Sequence, residues 1–103
     1  MDIRTTPQVG QFVIVRQGRD QRKVAVIVGI VDARFVLIAD GDKRKFDQPK
    51  RKNVLHLELQ EAISHEVVQS ISESGRVTNS KLRFVIAKYS EQLTAINANE
   101  KGE

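Results

Sequence analysis

The 103-residue sequence contains no cysteine, no tryptophan, only two prolines and only two histidines. Without cysteine there is no disulfide framework and no thiolate metal site, and a reducing compartment fits. His56 and His65 are too few for a metal site. The stretch DGD at 40–42 begins like a calcium loop. Lys43, Arg44 and Lys45 then fill the positions where such a loop needs oxygen ligands and glycine. No metal is expected. The longest apolar run, VAVIVGIV at 24–31, is far short of the roughly 20 residues of a membrane span. The opening MDIRTTPQVGQF lacks the apolar segment of a secretory signal. No G-x-S-x-G, no phosphate-cradling glycine loop and no His-x-x-x-His occurs. Neither an enzyme nor a cofactor is expected, and the length suits one domain with an appendage.

What the sequence does contain is unevenly distributed positive charge. Residues 1–56 hold twelve Lys and Arg against six Asp and Glu, a balance of +6, while residues 57–103 hold five against seven, a balance of −2. Six of the cations crowd into positions 43–52: Lys43, Arg44, Lys45, Lys50, Arg51 and Lys52, with Asp47 the single acid among them. A second group, Arg16, Arg19, Arg22 and Lys23, lies in 16–23. Such asymmetry points to a polyanionic partner.

The first half reads as five short strands: 11–15, 24–31, 35–39, KRKF at 43–46 and VLHL at 54–57. Asp40-Gly41 signals a tight hairpin, and Pro49 is expected to hold Lys50–Lys52 out of any ladder. The apolar runs are continuous rather than alternating, as in strands buried on both faces. A small bent barrel covered on its outside satisfies this, with a bulge or bend at Gly29. Beyond residue 59 the period changes. Leu59, Ile63, Val67 and Ile71 recur every four residues, which predicts a helix over about 60–74 between a Ser64 cap and Gly75. A stripe from Leu82 to Ile96 predicts a second helix capped by Asn79. The fold class is thus α+β. The barrel is placed at 1–58, the helices at 59–96 and a flexible tail at 97–103. At 100° per residue, Phe84 lies about 200° from Leu82, on the outer face among Lys81, Arg83 and Lys88. Either another element covers it or it is an exposed aromatic for docking.

Residues 9–57, VGQFVIVRQGRDQRKVAVIVGIVDARFVLIADGDKRKFDQPKRKNVLHL, resemble a KOW-motif barrel: strand, glycine-containing basic loop, strand. The DGDKRKF...PKRKN continuation is similar to that of small bacterial KOW-domain RNA-binding proteins, related to archaeal and eukaryotic large-subunit ribosomal proteins. One departure stands out. Arg22 occupies a place where such loops usually carry a second glycine, which implies a differently shaped loop or an alignment shifted by one residue. The resemblance implies an SH3-like barrel and RNA binding, often on the ribosome, in the cytoplasm and away from membranes.

If the two basic loops gather at one rim, their ten cations share one face. Asn53 and His56 are possible polar contacts beside them, His56 otherwise being an ordinary outward strand residue. With few aromatics, recognition should rest on backbone charge and RNA shape. The expected partners are RNA, ribosomal RNA foremost, and ribosomal or other translation proteins. The alternative is a protein-interaction module in translation or transcription machinery, docking through Phe84.

Overall fold

A computed structural model describes residues 6–19 and 21–101, with side chains to residue 95. Its elements, in chain order, are β1 (Gln11–Val15), β2 (Val24–Ile30), β3 (Phe35–Ala39), β4 (Lys50–Asn53), β5 (Leu57–Ile63), α1 (His65–Ser74) and α2 (Asn79–Lys101). A short 3-10 turn, Val54–His56, joins β4 to β5. The strands form one antiparallel sheet in the order β4-β3-β2-β1-β5. The result is an α+β fold, compatible with an SH3-like barrel of the KOW type.

β1, β2 and β3 each serve two cores, which is why their apolar runs are unbroken. Val13, Val15, Ala25, Ile27, Val36, Ile38 and Leu57 fill the inside of the bent sheet. Their neighbours on the other face, Phe12, Val26 and Ala39, form a row across three strands. That row is covered by Val67 from α1, Val77 from the connection, and Leu82 and Val85 from α2. The Tyr89 ring stacks on Phe12 at 4.3 Å, and its hydroxyl donates to Gln60 Oε1 at 2.8 Å. Burial, and then the nearby Glu58 carboxylate, raise the pKa of that hydroxyl above the ordinary tyrosine value. The β2–β3 ladder slips between Ile27 and Gly29, as expected of a strand glycine. Gly29 admits Leu37 so closely that a Cβ there would lie 3.1 Å from Leu37 Cδ1.

Several expectations are corrected. KRKF is not a strand. The Asp40 carboxylate accepts the N–H groups of Asp42 (2.8 Å) and Arg44 (2.9 Å) and winds this segment into a turn. The fourth strand is instead Lys50–Asn53, laddered to β3 with Ile38 opposite Lys50 and Phe35 opposite Asn53. Pro49 stands just before it, where a missing N–H is tolerated, and does not keep these cations out of a ladder. The segment 54–56 is a 3-10 turn. Leu59 and Ile63 belong to β5, because pairing with β1 outweighs a local four-residue period. α1 begins at His65, capped by Ser64, whose hydroxyl accepts the Val67 N–H (3.2 Å), and it ends at Gly75. Thr78, not Asn79, caps α2 by accepting the Lys81 N–H (3.1 Å). α2 continues to Lys101, through most of the expected tail. Residues 102–103 lie outside the described residues, as does the side chain of Ile96.

Candidate nucleic-acid interface

The loop between β1 and β2 is closed at its base by Val15, whose N–H donates to the Lys23 carbonyl (2.9 Å) and whose carbonyl accepts the Arg22 N–H (2.6 Å). Arg22 has φ +72°. It adopts the left-handed conformation that favours glycine, and does so with a cationic side chain. A left-handed residue with a Cβ costs about 1–2 kcal/mol, against about 0.5–1 kcal/mol of chain entropy for glycine. Arg22→Gly is therefore expected to stabilise the fold by about 0.5 kcal/mol. Urea denaturation checks this, and a loss of stability would show that the Arg22 side chain helps hold the loop.

The second basic segment and the 3-10 turn after it meet this loop. Lys52 Nζ donates to the Gln17 carbonyl (2.8 Å), and the Arg16 N–H donates to the His56 carbonyl (2.8 Å). Arg16 and Lys52 thus sit at one rim, with Arg16 also 3.6 Å from Glu58, and Arg19 is exposed in the same loop. Arg22 and Lys23 line a groove of about 420 Å³ with Asp40 and Asp42 from the β3–β4 connection and Arg83 from α2. The connection itself rides on α2. The Phe46 N–H donates to Asn79 Oδ1 (2.8 Å), Arg83 donates to the Gly41 carbonyl (2.7 Å), and Arg76 pairs with Asp47 (3.4 Å). Lys43 and Lys45 stand exposed on it and Arg44 is half-buried.

The ten cations do not share one face. Lys50 and Lys52 lie opposite Ile38 and Val36, on the inner side of the sheet, while Arg51 lies opposite Leu37 on the outer side. The Arg51 guanidinium covers the Phe35 ring at 4.2 Å. Asn53 is occupied locally, since its side chain accepts the Leu55 N–H at 2.9 Å. His56 sits half-buried in the 3-10 turn rather than on a strand. Phe84 is 60% exposed on the outer face of α2, so no described element covers it. Among the described residues, no group of three His, Asp or Glu converges to hold a metal. No helix there is long and apolar enough to cross a membrane.

No protein-family model matches the chain. Curated proteins do, among them the following two. The Bacillus subtilis (strain 168) protein "Putative ribosome-binding protein YbzG" is 46% identical over 71 residues, covering 69% of this chain and 96% of YbzG. The chain belongs to the YbzG family. Large ribosomal subunit protein eL14 of Sulfolobus acidocaldarius is 32% identical over 76 residues, covering 66% of this chain and 79% of eL14. Both matches reach beyond the 49 residues over which the barrel resemblance was read from sequence.

Two cations of this YbzG relative were missed by sequence reading. In sequence Arg83 is only a neighbour of Phe84, and nothing in its local context shows that it reaches Gly41, 42 residues away. Arg34 is exposed in the β2–β3 turn. It is isolated in sequence and belongs to no basic run. The Asp32 carboxylate in that turn accepts the N–H groups of Arg34 (2.8 Å) and Phe35 (2.9 Å). Those bonds foremost, with lesser help from the charges of Arg51 and Arg34, hold its pKa below the ordinary carboxylate value.

Proposed function

We propose that this protein is a non-catalytic RNA-binding protein that associates with the ribosome in the cytoplasm. On this reading it grips structured ribosomal RNA by the phosphate backbone, through the basic segments around the β1–β2 loop. The observation that carries the reading is the union of the two segments at the Lys52–Gln17 contact, in a chain related to proteins named for ribosome binding and for the large ribosomal subunit. Arg16, Arg19, Arg22, Lys23, Lys43, Arg44, Lys45, Lys50, Arg51 and Lys52 are the proposed cationic contacts, with Arg34 and Arg83 beside them. Asn53 and His56 act there as supports of the turn that carries the rim.

Phosphate contacts release counterions, so affinity should fall with salt by about 0.9 decades per contact per decade of salt on duplex-like sites. Removing three cations with Lys50→Ala, Arg51→Ala and Lys52→Ala is expected to lower affinity for structured RNA by about 100-fold at low salt. The slope should become shallower by about three. Filter binding across a salt series measures both. Unchanged affinity in a folded triple variant would refute the site. Sedimentation of a lysate on sucrose gradients tests the ribosomal assignment. Cosedimentation with the large subunit that survives a salt wash indicates a ribosomal component, and salt-labile cosedimentation indicates a peripheral factor. Absence from every ribosomal fraction would refute it.

The exposure of Phe84 between Lys81 and Lys88 favours a second reading, docking of a translation protein on α2. A partner retained after nuclease and moderate salt, and lost in a folded Phe84→Asp variant, would support it.

A further inference from the structure

Arg51 differs from the other cations in how it is held. It occupies the edge strand β4, opposite Leu37, while the neighbouring ladder position pairs Asn53 with Phe35. Its guanidinium reaches diagonally to lie 4.2 Å from the Phe35 ring centroid. The ring is half-buried, and Asp32 fixes its backbone by accepting the Phe35 N–H. No carboxylate among the described residues forms an ion pair with Arg51. The guanidinium carbon thus sits over the Phe35 ring, and the residue is exposed.

The surroundings are low. The row across the sheet runs Gly29, Leu37, Arg51, and Gly29 raises no side chain beside Leu37. The outer core beneath the helices is built on Phe12, Val26 and Ala39 and contains neither Phe35 nor Leu37. A planar cation pinned to an aromatic is suited to stacking, because nucleobases stack on guanidinium planes as well as on aromatic rings. A cation that only neutralises phosphate needs no such support. A lysine serves there as a point charge, as at Lys50 and Lys52 on the opposite side of the strand.

We infer that Arg51, laid on Phe35, is a stacking platform for one unpaired nucleobase of the bound RNA, with Arg34 at the adjacent turn holding a flanking phosphate. This rests on the RNA-binding reading above and adds that the RNA presents an unstacked base beside a structured region. The sequence-stable contacts elsewhere on the rim remain backbone contacts.

The test compares two RNA probes of equal length, a hairpin with an unpaired adenine-rich loop and a perfect duplex, using the full chain. Arg51→Lys keeps the charge and removes the plane. It is expected to weaken hairpin binding about tenfold more than duplex binding, with the salt slope kept because the charge is kept. Phe35→Leu, which removes the ring under the guanidinium, should give the same selective loss, with its melting curve confirming the fold. A 2-aminopurine in the loop should change fluorescence on binding wild type and not on binding Arg51→Lys. Wild-type behaviour of Arg51→Lys on both probes would overturn the stacking site and leave RNA binding intact, as would an equal loss on both. Failure of wild type to bind either probe at low salt would overturn both readings. Loss of an acidic protein partner in Arg51→Lys with RNA binding unchanged would assign the platform to protein instead.

Discussion

Gly41→Ala is expected to lower the melting temperature by roughly 10–40 °C. Two costs add at this position. The backbone has φ +81°, where a Cβ costs about 1–2 kcal/mol. The same Cβ would run into the Asn79 carbonyl oxygen and lie 3.0 Å from Leu82 Cβ and 3.1 Å from Arg83 Cγ. These are the backbone and stems of the first turn of α2, not flexible side-chain ends, and overpacking of this kind costs about 1–3 kcal/mol. The total is about 2–5 kcal/mol, and each kcal/mol is worth about 4–8 °C in a domain of this size. Gly75 provides the control. Its φ is +79°, yet a Cβ there meets nothing within 4 Å. Gly75→Ala should lose only the conformational part. Circular-dichroism melts of the two variants make the comparison, and equal losses would show that packing against α2 is not the cause. The Gly41 variant should also loosen the basic connection, since Arg83 and Asn79 hold it from the same helix turn.

Removal of both helices, leaving residues 1–63, is expected to abolish cooperative folding. Phe12 and Val26 on the sheet, and Val67, Val77, Leu82 and Val85 above them, are all buried in one cluster. Full burial of each such side chain is worth about 1.5–3 kcal/mol, so the six contribute on the order of 10 kcal/mol as an upper estimate. A whole domain retains only about 5–15 kcal/mol of net stability. The helices are therefore the second wall of the strands rather than an ornament on a finished barrel. Near-UV circular dichroism and a urea titration of the 1–63 fragment test this. A sigmoidal transition with native-like aromatic signal would contradict it.

Much of this was legible before any coordinates. β1 and β3 match the sequence reading residue for residue, and β2 ends one residue early, because β-branched runs bounded by polar or glycine-rich stretches leave little choice. Their unbroken apolarity also foretold a cover on the outside. Ser64 and Gly75 marked α1 because caps are local chemistry. β4 was illegible for the opposite reason. KRKN has no strand propensity, and it pairs because β3 offers an edge. The boundary between β5 and α1 was obscured by Leu59 and Ile63, whose spacing continues that of Val67 and Ile71 although a strand carries them. At the site, the run of cations could be counted in the sequence. Their division between two sides of β4, the left-handed Arg22 and the Arg51–Phe35 stack could not, since each depends on pairing across the sheet or on loop closure.

The strand order has a consequence for the sequence of events in folding. From β1 to β4 every strand lies beside its neighbour in the chain, and β1–β5 is the exception. The first three pairings close short loops, the shortest being the four residues between Ile30 and Phe35. The β1–β5 pairing must bring Val15 to Leu57 across the whole intervening meander. Loop-closure entropy grows with the span, so the non-local seam gains most from having the hairpins already formed. The Arg16–His56 and Lys52–Gln17 hydrogen bonds lie at that seam. The basic rim is thus assembled with the last closure of the sheet, and its cations reach their native spacing only when the barrel is shut.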